Sequence, residues 1–278
     1  MQSIQPKPQH MKKILIALLL VSTVGLSQNR ETRNVGAFTR IAFRIPGKLI
    51  LKQGSPQKVE LEGDRELLKK IETEVDGDRL SVGRENRWMD WNWSKEDRVN
   101  VYITMPDIEG LSVSGSGDLV GEGKFNTGAL KLSVSGSGTL QIEVAATGDI
   151  DANVSGSGRL QVGGTCKGFE SDVSGSGRVI VNAKIDGMAD VGISGSGKIE
   201  ASGTAQSIKA TISGSGRVYA SNLEVDKCTV RISGSGDVEI NVKSELDANI
   251  SGSGTVSYKG NPSHVNGHSS GSGKVKKM

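Results

Sequence analysis

The four residues Ser-Gly-Ser-Gly recur nine times between Ser114 and Gly273, at spacings of 18 to 21 residues. A period this regular belongs to a solenoid, in which each repeat buries its apolar side only against its neighbours. Alignment on the first serine of each copy shows strict alternation. Five, three and one residues before it stand Leu130, Leu132 and Val134 in one copy, and Ile208, Ala210 and Ile212 in another. Five residues after it stand Leu140, Leu160, Val179, Ile199 and Val218 in successive copies. The other parity is polar, as Lys131, Asp151, Glu170 and Asp190 show. A period of two over a dozen residues means extended chain with one face turned inward.

These patterns predict an all-β fold, a right-handed parallel β-helix (β-solenoid) with rungs of about 20 residues. Nine rungs at the strand spacing of ~4.8 Å make a rod of about 43 Å. Both glycines of each copy fall on the inward parity, so a bend with no room for a Cβ is expected there, with the serines outward in two columns. Glycine numbers 38 of 278 residues, about twice the ordinary share of ~7%. A flexible Gly-Ser linker would explain that excess, but phased copies set in β-branched alternation do not behave as a linker. The ten aromatic residues leave a core of Val, Ile, Leu and Ala in thin layers.

Residues 11–27 (MKKILIALLLVSTVGLS) combine a basic start, a short apolar run and small residues before Gln28. That is the layout of a secretory signal peptide, with either Met1 or Met11 as the start. No cysteine follows the apolar run, so the expected product is exported, periplasmic or at the cell surface, and not a lipoprotein. Three of the 34 basic residues lie in residues 1–27, which leaves 31 against 31 acidic residues. A neutral mature chain argues against nucleic acid as partner, and no second apolar stretch predicts an integral membrane span. Residues 28–110 are read as N-terminal strands, a short helix and a Trp loop that cap the solenoid of residues 111–278. The stretch 64–73 has an N-cap candidate and helical spacing of Leu67, Leu68 and Ile71. Residues 274–278 are expected to fray.

Repeated (V/I)SGSG follows the strand from Val101 to Pro106, with Gln53-Gly54 and a stretch from Glu66 to Val75 upstream. In these features the chain resembles the putative auto-transporter adhesin, head GIN domain family of bacteria. The resemblance covers roughly residues 35–260 and implies an exported right-handed β-helix with no established activity. No segment shows the alternating ten-residue strands of a translocator barrel, so a complete autotransporter is not expected.

Four sets of residues are candidates for function. Trp88, Trp91 and Trp93 fall within six residues in RWMDWNWSKED. They suit sugar stacking or a protein contact, or else a cap folded over the solenoid end. Arg159, Arg178, Lys198 and Arg217 occupy one outward column in four consecutive rungs. Stacked like charges repel, so the column invites an anionic ligand such as an acidic glycan, unless Glu170, Asp190 and Glu200 balance it. Cys166 and Cys228 lie three rungs apart, about 14 Å along the axis, too far for a bridge, and read as buried thiols. His264 and His268 are a weak metal pair. Catalysis finds little support: rungs of 18 to 21 residues leave no insertion for a cleft, and Asp237 and Glu239 lie on a flat strand face. No cofactor is expected. The reading is a non-enzymatic exported scaffold, an adhesin or a binding protein for glycan or protein partners of the envelope or cell surface. The alternatives are an envelope-associated assembly protein that stacks with itself and, third, a glycan-cleaving β-helix enzyme.

Overall fold

A computed structural model of the protein describes residues 29–84 and 99–278. The first part of the chain forms β1 (Asn29–Arg33), β2 (Arg40–Phe43), β3 (Lys48–Gln53), β4 (Lys58–Gly63), α1 (Arg65–Leu68), β5 (Ile71–Asp76), β6 (Arg79–Arg84) and β7 (Asn100–Met105). Paired shorter strands follow: β8 (Gly110–Gly115), β9 (Asp118–Thr127), β10 (Leu130–Gly136), β11 (Thr139–Ala146), β12 (Ile150–Gly156), β13 (Arg159–Cys166), β14 (Phe169–Gly175), β15 (Arg178–Ile185) and β16 (Met188–Gly195). The remainder comprises β17 (Lys198–Gly214), β18 (Arg217–Gly234), β19 (Asp237–Gly252), β20 (Thr255–Lys259), β21 (His264–Gly271) and β22 (Lys274–Lys277).

The strands stack in two parallel rows that meet at the SGSG corner, a β-solenoid with rungs of about 20 residues. The row before the corner runs β6, β2, β8, β10, β12, β14, β16, the second halves of β17 to β19, then β21. The row after it runs β7, β3, β9, β11, β13, β15, the first halves of β17 to β19, then β20 and β22. Every strand pairs with its counterpart one rung away, so Ser135, Ser155 and Ser174 stand in one file. The earlier rungs also turn at a second glycine corner, at Gly128, Gly148, Gly168 and Gly187. In β17, β18 and β19 no glycine interrupts that corner, and the strand runs through it.

The inward stripe of the repeat is the core. Leu132, Val134, Leu140, Ile142 and their counterparts are all but fully buried, each contributing roughly 1.5–3 kcal/mol. Ser171 is the buried polar residue of this stripe, and its hydroxyl donates to the Ala152 carbonyl at 2.7 Å.

The two glycines of the corner do different jobs, which corrects the expectation that both face the core. The second glycine is buried, and a Cβ on Gly158 would lie 2.5 Å from Val134 Cγ1. The first lies at the surface with positive φ, +111° at Gly136, where a Cβ would come 2.6 Å from the Gly115 carbonyl oxygen. The period-two alternation ends at the bend, so parity no longer reports the inside. The serines stand outward as expected, exposed in almost every copy.

The rung pattern begins before the first SGSG. Phe43 is in register with Val113 and Lys48 with Asp118. Arg44-Ile45-Pro46-Gly47 therefore takes the place of SGSG, and β2 and β3 belong to the stack, not to a cap ending at residue 110. The capping elements are fewer: β5 runs antiparallel on β6, β4 antiparallel on β7, and β1 antiparallel on β4. Helix α1 is one turn, shorter than its apolar spacing predicts. Asp64 caps it, accepting from the amides of Glu66 at 2.9 Å and Leu67 at 3.3 Å. Ile71 instead starts β5, because the β-branched alternation of Ile71, Thr73 and Val75 pairs with β6. The Arg33 guanidinium donates to the Leu68 carbonyl at 2.7 Å and ties β1 to the helix end. At the other end residues 274–277 are not frayed: they pair with β20 as β22.

Candidate functional site

The first residue after each corner is placed by backbone hydrogen bonds. The Arg159 amide donates to the Gly138 carbonyl, Arg178 to Gly158, Lys198 to Gly177 and Arg217 to Gly197, each at 3.0 Å. The ladder puts Arg159, Arg178, Lys198 and Arg217 in register on four consecutive strands. Neighbouring Cα atoms are therefore ~4.8 Å apart. Two unit charges at that distance repel by about 1 kcal/mol even in bulk water. Two of the four are partly relieved: Arg178 Nε lies 3.5 Å from Glu200 Oε1, and Arg217 Nε 3.3 Å from Asp237 Oδ2. Arg159 and Lys198 make no ion pair among the described residues. An exposed serine stands two residues before each cation: Ser157, Ser176, Ser196 and Ser215.

Of the three balancing acids expected from the sequence, only Glu200 reaches the column. Glu170 and Asp190 lie in the row before the corner, in register with each other, and Asp190 accepts from Lys209 Nζ at 2.8 Å. A shallow groove of about 380 Å3 runs there past Glu170, Asp172, Asp190, Gly192 and Lys209. The cluster Trp88, Trp91 and Trp93 lies outside the described residues.

The two cysteines are free and buried. Cys166 is in register with Ile185, and Cys228 with Ile208 and Leu246, as the repeat alignment requires. Burial pushes the Cys166 thiol up to about 11, with Asp149 and Asp186 adding to it, and the Cys228 thiol up to about 12. Both are inert as thiolates at neutral pH. His264 and His268 are four residues apart on β21, so about 13 Å separates them, too far to share a metal ion. Among the described residues no group of three or more His, Cys, Asp or Glu is placed to hold one. Asp237 serves as the partner of Arg217. No helix of the described residues is long and apolar enough to cross a membrane.

Sequence reasoning missed the cations Arg40 and Arg79, which register places beside Lys131 in the row before the corner. A faint signal existed: Phe43, a four-residue corner ending in Gly47, then Leu49 reproduces the spacing of Val113, Gly117 and Leu119.

Comparison with known proteins agrees with this architecture. A crystal structure of a protein described as a putative adhesin from Parabacteroides merdae superposes with a TM-score of 0.63 at 20% identity, covering 91% of this chain and 97% of that one. Two proteins from Parabacteroides distasonis are equally similar, each with a TM-score of 0.64 at 21% identity. One, described as a putative adhesin, covers 90% of this chain and 97% of its own. The other, described as a putative lipid binding protein, covers 91% of this chain and 98% of its own. At such identities the likeness is one of fold. No functionally curated protein is detectably similar in sequence. The family model for the putative auto-transporter adhesin, head GIN domain matches residues 37–185 and 176–262, and the chain belongs to that family.

Proposed function

We propose that the protein is an exported, non-enzymatic adhesin-type scaffold that holds an anionic glycan along the ladder Arg159, Arg178, Lys198 and Arg217. The carrying observation is the register itself: four cations on consecutive strands, of which Arg159 and Lys198 have no counterion among the described residues. The hydrogen-bonded ladder already fixes the backbone spacing of the four cations, so a repeating anion has only their side chains left to order, at about 0.5–1.5 kcal/mol each. The serine hydroxyls beside it supply donors and acceptors for sugar hydroxyls. Family membership supports the adhesin reading, and the apolar run of residues 11–27 supports export.

The test is binding of polygalacturonate to the full chain across ionic strength. Affinity should fall as salt rises from 50 to 200 mM, because exposed charges are screened over ~8–10 Å. It should fall at least tenfold in R159E/K198E. Salt-insensitive binding, or binding that survives the charge reversal, would overturn the ladder as the site.

A further inference from the structure

We infer that the row before the corner carries a second binding site, a cleft at Gly110 that takes the charged group of an acidic sugar. Arg79 of β6, Arg40 of β2, Gly110 of β8 and Lys131 of β10 are successive partners in register. Cations thus flank a glycine on both sides, and Arg40 and Lys131 are two strand spacings apart, ~9.6 Å at Cα. Two residues along, Ser112 and Ser133 form a neighbouring file of hydroxyls. Together these residues bound a cleft of about 310 Å3, at the small end of the ligand pockets of ~300–1,000 Å3.

Gly110 has no backbone reason to be glycine. Unlike the first corner glycines, it does not have positive φ. The nearest atoms to a Cβ there would be Arg40 Cγ at 3.4 Å, Arg40 Cδ at 3.6 Å and the Lys131 carbonyl oxygen at 3.6 Å, all ordinary contacts. Glycine inside a strand is unfavourable by roughly 0.5–1 kcal/mol. What its missing side chain preserves is the floor of the cleft and the path of the Arg40 stem across β8.

The charges are arranged to leave some cations free. Arg40 is oriented by Asp78 Oδ2 at 3.2 Å from its Nε and by Glu109 Oε2 at 3.8 Å from its Nη2. Asp151, the acid at the far side, accepts from the Asn153 amide at 2.6 Å. Arg79 and Lys131 make no ion pair among the described residues. An anionic group seated between them is met from both sides, with the sugar ring over Ser112 and Ser133. The site is on the other row from the Arg159 ladder, so either can fail alone.

The experiment titrates the full chain with trigalacturonate and with a chondroitin sulfate tetrasaccharide. G110T keeps every charge and fills the floor; R79A/K131A removes the two free cations from exposed positions. Read in the R159E/K198E background, where the ladder no longer contributes, each should weaken binding of at least one probe tenfold or more, with an unchanged thermal midpoint for R79A/K131A. The assignment is overturned if neither probe binds in that background, or if G110T and R79A/K131A both leave binding there unchanged. Inorganic phosphate, or vesicles of phosphatidylglycerol, binding as tightly as the sugars would also overturn it, in favour of a free anion or a lipid headgroup.

Discussion

Gly136 and Gly158 carry the same letter and resist substitution for different reasons. Gly136 is at the surface, but its φ of +111° and the Gly115 carbonyl 2.6 Å from an added Cβ forbid a side chain. Gly158 has ordinary φ, and the obstacle is Val134 Cγ1 at 2.5 Å in the core. Gly136→Ala should destabilise by about 1–3 kcal/mol through backbone strain, and Gly158→Ala by about 1–3 kcal/mol through overpacking. Ser157→Ala, exposed between them, should stay within about 0.5 kcal/mol. Denaturant midpoints of the three variants decide the matter; a serine variant as damaging as the glycine ones would show that the hydroxyl column holds the corner.

The rung is the element that repeats, and its hydrogen bonds do not depend on which rung they join. The Ser157 amide donates to the Gly136 carbonyl at 2.9 Å, and Ser176 to Gly156 at 2.9 Å. Val173 and Ile193 are in register and both immediately precede an SGSG corner. Deleting residues 174–193 therefore joins Val173 to Ser194 with the alternation in phase. That chain should keep its β-rich circular dichroism and unfold cooperatively at a lower midpoint, since stability sums over repeats and their interfaces. Deleting residues 174–184 instead, an odd number, joins Val173 to Ile185 and turns Asp190 and Ser194 to the inward positions of Val179 and Ala183, and cooperative unfolding should be lost. The short helix is the element in which local spacing and strand pairing conflict. The spacing of Leu67, Leu68 and Ile71 suits a helix, yet pairing of β5 with β6 outweighs local spacing after one turn.

Across the whole molecule the two ends are closed differently. The N-terminal end carries antiparallel strands and α1, with Leu67 and Leu68 buried beneath it. At the C-terminal end β21 and β22 are the last strands of their rows. Val265, at an inward position of that last rung, is 44% exposed, and Gly267 and Ser269 replace the apolar residues beside it. An open strand edge invites pairing with another chain, and charged edge residues oppose it. Lys274, Lys276 and Lys277 are exposed on β22 and supply that opposition. K274T/K276T/K277V should associate end to end in a concentration-dependent way, seen by light scattering at concentrations where the unaltered chain stays at one size. A variant that keeps the size of the unaltered chain would assign the protection to the polar last rung instead.

How much of this was legible beforehand divides along a physical line. Alternation with a period of two, the phased corner and the position of each residue within its rung are properties of the chain taken in order. The inward stripe, the outward serines, the cation column and the two separated thiols were therefore readable from the letters. Contacts between rungs were not. Which cation finds an acid depends on side chains one strand away: Arg178 meets Glu200, Arg217 meets Asp237, and Arg159 meets neither. The cleft at Gly110 lay deeper still, because its strands stack in the order β6, β2, β8, β10, which is not their order in the chain. Residues 40, 79, 110 and 131 become neighbours only when an inserted segment returns to cover the first rung, and no local pattern encodes that return.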